Sequence, residues 1–184
     1  MSSLNAHTDA ELVRECLAGN QKAFEALVRK YEKPIFNVAL RILKDRDDAM
    51  DIAQTVFVKA YEKLGSFDEK REFFSWIYRI AINESINASK KTRRQDEYES
   101  GVTAALPASQ EEQRSAEILS EEIERAIEVL TVDYRMVIVL RHFHDFSYQE
   151  MAEILDIPEK TVKSRLFTAR QQLKDILTAR GVTR

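Results

Sequence analysis

Large apolar residues return at every third or fourth position through most of this chain, and that spacing constrains the fold more than any other feature. Phe24, Leu27, Val28, Tyr31, Ile35, Val38, Ala39 and Ile42 follow it, and so do Ile52, Ala53, Val56, Phe57, Ala60 and Leu64. A row with this period lies along one side of an α-helix, whereas a half-buried strand needs alternation at every second residue. The 184 residues contain only four Gly and three Pro, too few turn-formers for a sandwich or barrel of many short strands. An all-α fold is expected.

Local signals divide the periodic stretches into helices. Thr8-Asp9-Ala10-Glu11 has capping-box spacing, and Leu12, Val13, Cys16 and Leu17 then form an apolar face that Gly19 terminates. Asn20 can cap a second helix, in which Pro34 predicts a kink. A third helix is expected from about Asp47 to Leu64-Gly65. After the polar loop Ser66–Glu72, a fourth runs from about Phe73 to Lys91. Four helices with short connections make one bundle over residues 1–95. From Thr92 to Ala116 the composition turns to Glu, Gln and Ser, with Tyr98, Val102 and Leu106 as the only large apolar residues. Such a stretch buries too little surface to offset chain entropy, which predicts a flexible acidic linker over 96–117. Periodicity resumes at Ile118 and Leu119, so residues 118–184 form a second small helical domain.

Net charge is −3, but it is unevenly distributed. Residues 1–95 sum to +3, residues 96–124 to −8 and residues 125–184 to +2. Basic residues concentrate further in 71–95 (six against two acids) and 159–184 (seven against two). Two basic elements on either side of an acidic connector suggest two nucleic-acid contacts; solvated helix ends that complement helix dipoles are the alternative.

The second basic element has more structure than charge alone. In SYQEMAEILDIPEKTVKSRLFTAR, from Ser147 to Arg170, Ser147 and Glu150 have capping-box spacing. Asp156-Ile157-Pro158 supplies a three-residue turn, because Asp tolerates a left-handed backbone and Pro opens a helix. Small Ala152 permits a close crossing. In the helix that follows, Val162, Leu166, Ala169, Leu173 and Ile176 point inward, while Lys160, Lys163, Ser164, Phe167, Arg170 and Lys174 share the opposite face. This is a helix-turn-helix whose second helix suits a major groove. Lys163 and Arg170 can meet phosphates or guanine, Ser164 a base edge, and Phe167 a thymine methyl. Thr161 and Arg165 belong to the same candidate surface.

Two stripes mark the N-terminal bundle. Asp48, Asp51, Thr55, Val58, Lys59 and Glu62 face outward from the third helix, and an apolar Val58 among charges suits a protein contact. Arg79, Asn83, Asn87, Lys90 and Arg94 recur at three- and four-residue spacing on the fourth, beside Lys91 and a loop holding Phe67. Basic and amide side chains next to aromatics suit unstacked, single-stranded bases, although such aromatics more often belong to a core.

Other classes find no support. The longest apolar run, Met136–Leu140, is far short of a membrane span, and no apolar signal segment follows Met1. One cysteine, Cys16, provides no disulfide framework and fits a reducing, cytoplasmic setting. His7, His142 and His144 have no Cys or His neighbours at metal-ligand spacing, and neither a phosphate loop nor a Ser-His-Asp order occurs. No metal, cofactor or catalytic residue is expected.

DAMDIAQTVFVKAYEKL (Asp48–Leu64), FFSWIYRIAINESIN (Phe73–Asn87) and the helix-turn-helix occur in the order found in bacterial RNA polymerase sigma factors. The chain resembles the extracytoplasmic-function (ECF) group, which has only the two core sigma domains. The resemblance covers about residues 10–94 and 118–177. It implies that the Asp48–Leu64 helix docks on core RNA polymerase through Asp48, Asp51, Thr55, Val58, Lys59 and Glu62. It further implies that Ser66–Glu72 and the following helix open the −10 element and capture a flipped base, with Phe67, Arg79, Asn83, Asn87, Lys90, Lys91 and Arg94 at the DNA. Lys160, Thr161, Lys163, Ser164, Arg165, Phe167 and Arg170 then fall on the −35 reader, and an anti-sigma factor is the expected kind of inhibitor. The family's docking motif usually carries acids where this chain has Met50 and Thr55. Some ECF-like sigma factors with such a depleted motif are switched on by threonine phosphorylation. A phosphate on Thr55 would restore about two negative charges, making Thr55 a candidate for a Ser/Thr kinase. A free-standing regulator that binds DNA without polymerase remains the alternative on the residues alone, ahead of a protein that only holds partners.

Overall fold

The computed structural model describes residues 8–96 and 121–182, leaving aside the side chains of 91–96. The helix starts follow the caps. Thr8 Oγ1 accepts from the Glu11 amide at 3.3 Å, and the Glu11 carboxylate accepts from the Thr8 amide at 2.7 Å, opening α1 (Asp9–Leu17). Leu12 and Val13 are buried, but Leu17, at the last position before the turn at Gly19, is 48% exposed and leaves the apolar face. The Asn20 side chain caps α2 (Gln21–Leu43), which continues as one helix beyond Pro34. Asp45 caps α3 (Arg46–Lys63), which tightens into a 3₁₀ turn at Leu64–Ser66. The fourth helix, α4 (Phe73–Asp96), runs past the expected end at Lys91 because nothing between Lys91 and Asp96 breaks a helix.

These helices pack around Leu27, Ile35, Val38, Val56, Ala60, Phe73, Ile77 and Ala81, the inward positions of the periodic rows. Asp9 of α1 accepts from Tyr31 and from Lys30 of α2, fastening the first helix to the second. The expected linker lies outside the described residues. Beyond it, α5 (121–129), α6 (Val132–His142), α7 (Tyr148–Leu155) and α8 (Glu159–Ala179) form the second group. Ser147 and Glu150 make the expected capping box, Asp156 is left-handed at φ 56°, and Pro158 opens α8. Val162, Leu166 and Ala169 are buried, and the Ile157 amide donates to the Ala152 carbonyl at 3.2 Å, tightening the turn.

The two groups meet along a seam, α4 against α7 and α2 against α6, and their buried residues form one continuous cluster. At its centre Phe74 stacks on Phe146 (5.5 Å between centroids), and the Tyr78 ring meets Phe146 edge-on at 4.9 Å. The Tyr78 hydroxyl and His144 Nδ1 lie 3.0 Å apart. At one end Arg135 of α6, only 8% exposed, donates to the carbonyls of Ile42 (2.7 Å), Glu128 (2.7 Å) and Leu130 (3.1 Å). Carbonyls at helix ends have no partner within their own helix and carry the negative end of its dipole, so one guanidinium satisfies the ends of α2 and α5 together.

Candidate nucleic-acid interface

The outward face of α8 is open to solvent. Lys160, Lys163, Ser164, Phe167 and Arg170 are all exposed, and Phe167 at 66% is the most exposed large apolar residue among those described. An aromatic ring is not left in water by core packing, so its place among cations suits an apolar contact with a base. Two cations are held by neighbours. Lys163 Nζ pairs with Glu159 at 2.6 Å, a contact that raises the affinity of the amine for its proton. His142 Nε2 lies 3.3 Å from Arg170 Nη2; burial and the charges of Arg170 and Arg141 hold that imidazole below its ordinary range. Two members depart from the face. Arg165 is half-buried and turns to Asp133 of α6 at 3.4 Å, and Thr161 is half-buried with its carbonyl accepting from Ser164 at 3.0 Å.

On α4, Asn83, Asn87 and Lys90 are exposed along one face, while Lys91 and Arg94 fall outside the described side chains. Phe67 is half-buried against Phe73 (5.8 Å) and Trp76 (5.2 Å), so its ring belongs to an aromatic cluster at the head of α4. Arg79 is not on the open face. Its guanidinium reaches across the seam to the Glu153 carbonyl and, at 3.1 Å, to the Asp156 carboxylate. Beneath it Arg71, Ser75, Trp76 and Glu153 line a cavity of about 20 Å³, into which the buried Ser75 hydroxyl faces without a hydrogen-bond partner in the protein.

On α3, Asp48, Asp51, Val58 and Glu62 are exposed and Thr55 is half-exposed, while Lys59 pairs with Glu84 of α4 at 2.7 Å. Met50 and Tyr61 are exposed on the same helix as Val58, so the outer side of α3 is more apolar than its charges suggest. Tyr61 was not among the expected residues, although its place three positions after Val58 is a usable signal.

Sequence reasoning also missed the seam residues Arg41, Lys44, Tyr78, Arg135, His144, Phe146, Glu153 and Asp156. For Arg135 there was a hint: a cation inside the apolar stretch Tyr134–Leu140 needs partners if that stretch is buried. Arg41 lies 3.8 Å over the Phe143 ring and pairs with Glu124 at 3.0 Å, and Lys44 donates to the Glu128 carbonyl at 2.9 Å. Cys16 is half-buried and its thiol is pushed up to about 11, chiefly by that burial. Among the described residues no group of His, Cys, Asp and Glu is placed to hold a metal ion, and no helix is long and apolar enough to cross a membrane.

Residues 27–95 match the family model for Sigma-70 region 2, and residues 120–173 that for Sigma-70, region 4. The chain is 35% identical to the RNA polymerase sigma-H factor of Pseudomonas aeruginosa, over 95% of this chain and 96% of that protein. It is 35% identical to the ECF RNA polymerase sigma-E factor of Escherichia coli K12, over 90% of this chain and 92% of the relative. Among solved structures it is similar to CnrH in complex with the cytosolic domain of CnrY. That likeness has a TM-score of 0.72 at 26% identity and covers 93% of this chain and 97% of that one. It is also similar to the sigma factor RpoE of Bartonella quintana, bound there to the anti-sigma factor NepR. Here the TM-score is 0.67 at 27% identity, over 85% of this chain and 98% of the other. With both regions present, in order and at near-full length, the chain belongs to the ECF group of the sigma-70 family, the non-enzymatic subunits that direct RNA polymerase to promoters.

Proposed function

We propose that three faces divide the work of this sigma factor. The outward face of α8, with Lys160, Lys163, Ser164, Phe167 and Arg170, reads the −35 element, and Thr161 and Arg165 support it from its flank. The α4 stripe of Arg79, Asn83, Asn87, Lys90, Lys91 and Arg94, with Phe67 at its head, opens and holds the −10 element. Asp48, Asp51, Thr55, Val58, Lys59 and Glu62 of α3 dock on core polymerase. The observation that carries the reading is the exposed Phe167 set among cations on the second helix of a helix-turn-helix. Residues 1–95 and 118–184 act as two modules and 96–117 as their acidic tether, which makes two weak contacts into one reader of element spacing. A subunit of this kind works in the cytoplasm beside the chromosome.

Control falls at two points. CnrH was solved with the cytosolic domain of CnrY and the Bartonella sigma factor with the anti-sigma factor NepR, and the second complex supports an anti-sigma factor for this chain as well. Thr55 is half-exposed on the docking face, four residues before Lys59. A phosphate there supplies the negative charge that this docking motif lacks, which makes Thr55 the switch residue for a Ser/Thr kinase. Run-off transcription with core polymerase on a library of random promoters tests the reading. Specific transcripts from the unmodified protein support it as an unconditional sigma factor, and transcripts from Thr55→Glu alone support the switch. Silence from both, with a footprint by the protein alone, refutes it in favour of a free-standing regulator.

A further inference from the structure

A side chain of α6 stands beside the outward face of α8. His142, the last residue of α6, is exposed, and its imidazole faces Arg170. Arg170 Nε and Nη2 converge on His142 Nε2, at 3.4 and 3.3 Å. Both guanidinium nitrogens are donors, so Nε2 is the acceptor and the neutral ring carries its one proton on Nδ1. The pairing occupies one edge of the Arg170 fork and leaves Nη1 to another acceptor.

The position of this pair along α8 suits the DNA backbone. A recognition helix reads base edges with the residues near its start. Arg170 lies well beyond Glu159, about 16 Å further on at about 1.5 Å per residue. The major groove is only about 12 Å wide, so a helix that enters it by its start leaves Arg170 beside the flanking phosphates. A phosphate has oxygens for two donors at once, but His142 can be the second only with a proton on Nε2. In the DNA-free chain burial, then Arg170 from α8 and Arg141 of its own helix, oppose that proton, against a smaller pull from Asp145 in the following turn. Arg141 is itself turned away, donating to the Phe146 carbonyl at 2.9 Å. A phosphate between His142 and Arg170 reverses the balance, because it screens the guanidinium and gives the imidazolium an anionic acceptor. The negative end of the α6 dipole favours the same charge.

We propose that His142 and Arg170 together clamp one phosphate at the edge of the −35 element, and that His142 takes a proton from solvent as the DNA binds. The inference rests on the reading of Arg170 as a −35 contact. Without DNA, neutral His142 positions the guanidinium; with DNA, it becomes a second phosphate donor. The complex then holds more protons than the free chain, so affinity rises as the pH falls. One proton sets the steepest slope at about tenfold per pH unit.

The test measures binding of the full chain, assembled with core polymerase, to a labelled promoter selected with the wild-type protein, at pH 8, 7 and 6 over a range of KCl. Both side chains are exposed, so substituting them empties no core. His142→Gln keeps an acceptor oxygen for Arg170 but cannot titrate. Between pH 8 and pH 6 the ratio of dissociation constants is expected to move about fivefold in favour of the wild type. At pH 6 the wild type is also expected to show a salt dependence steeper by about one phosphate contact. His142→Ala, which removes the acceptor, should bind about threefold more weakly at pH 8, and His142→Gln should recover most of that loss. Arg170→Ala is expected to bind about tenfold more weakly and to lose the gain at pH 6. Parallel pH profiles of wild type and His142→Gln overturn the proton uptake and leave Arg170 as a −35 contact. A gain at pH 6 that persists undiminished in Arg170→Ala overturns the shared clamp. Undiminished binding by Arg170→Ala overturns its reading as a −35 contact, and the clamp with it.

Discussion

The two basic helices of this sigma factor, α4 and α8, carry similar side chains in different circumstances. On α8 the cations and Phe167 face solvent, and the neighbours that hold them, Glu159 and His142, come from the same half of the chain. On α4 the leading cation of the stripe is spent on the other half, through Glu153 and Asp156. A helix's own period decides which residues share a face. Whether that face is available depends on what the rest of the chain brings against it, and here that differs between the two helices.

The strongest way to break the contrast is to release the seam at its buried end. Arg135→Ala leaves the carbonyls of Ile42 and Leu130 without their guanidinium donor, and a loss of about 2–4 kcal/mol is expected in urea unfolding of the whole chain. A loss under about 0.5 kcal/mol would show that the seam is not anchored there. Within α8, Lys163→Ala is expected to weaken −35 binding by the polymerase complex about tenfold and to flatten its salt dependence, as loss of a phosphate contact should. Arg165→Ala, removing a cation already turned to Asp133, should change binding much less. Equal effects of the two would erase the distinction between the open face and the paired flank.

Acid should loosen the seam in a defined window. Burial, and to a lesser degree the Arg41 charge, hold His144 below the ordinary imidazole range, against a smaller opposing pull from Asp145. The opened chain, with an ordinary value of about 6.5, therefore binds the proton more readily than the closed one. The contribution of His144 to closure is complete above about pH 6.5 and is lost as the pH falls below it. Scattering between pH 7.5 and 5.5 should show expansion that His144→Gln reduces. His142 is depressed in the same direction but lies outside the seam, so expansion unaltered in the variant would exclude His144 as its source. The smallest effect is expected at Lys59, whose pairing with Glu84 joins α3 to α4 in a partly exposed setting. Lys59→Ala should cost at most about 1 kcal/mol of stability. A larger drop in polymerase binding than in stability would assign Lys59 to the docking face as well as to the bundle.

Much of the architecture was legible before any coordinates because its causes are local. Thr8-Glu11 and Ser147-Glu150 cap helices through bonds that span three residues, and Asp156 takes the left-handed turn that its side chain tolerates. The inward rows of α2, α3 and α8 are fixed by helical period. The α4 terminus was placed too early because a shift in composition is not a stop signal. Phe67 shows the limit for site residues: at the head of a basic helix a ring can serve DNA or the core, and its half-buried packing on Phe73 and Trp76 is set by the fold rather than by spacing.

By itself the sequence determined the helices, the two groups they form and the family, since capping, periodicity and motif order act over a few residues. Only the tertiary structure decided that Arg79 reaches across to the end of α7, that Arg135 joins the ends of two helices, and that His144 is half-buried against Tyr78. These contacts link residues 66 to 93 positions apart, and no local period carries information over that distance.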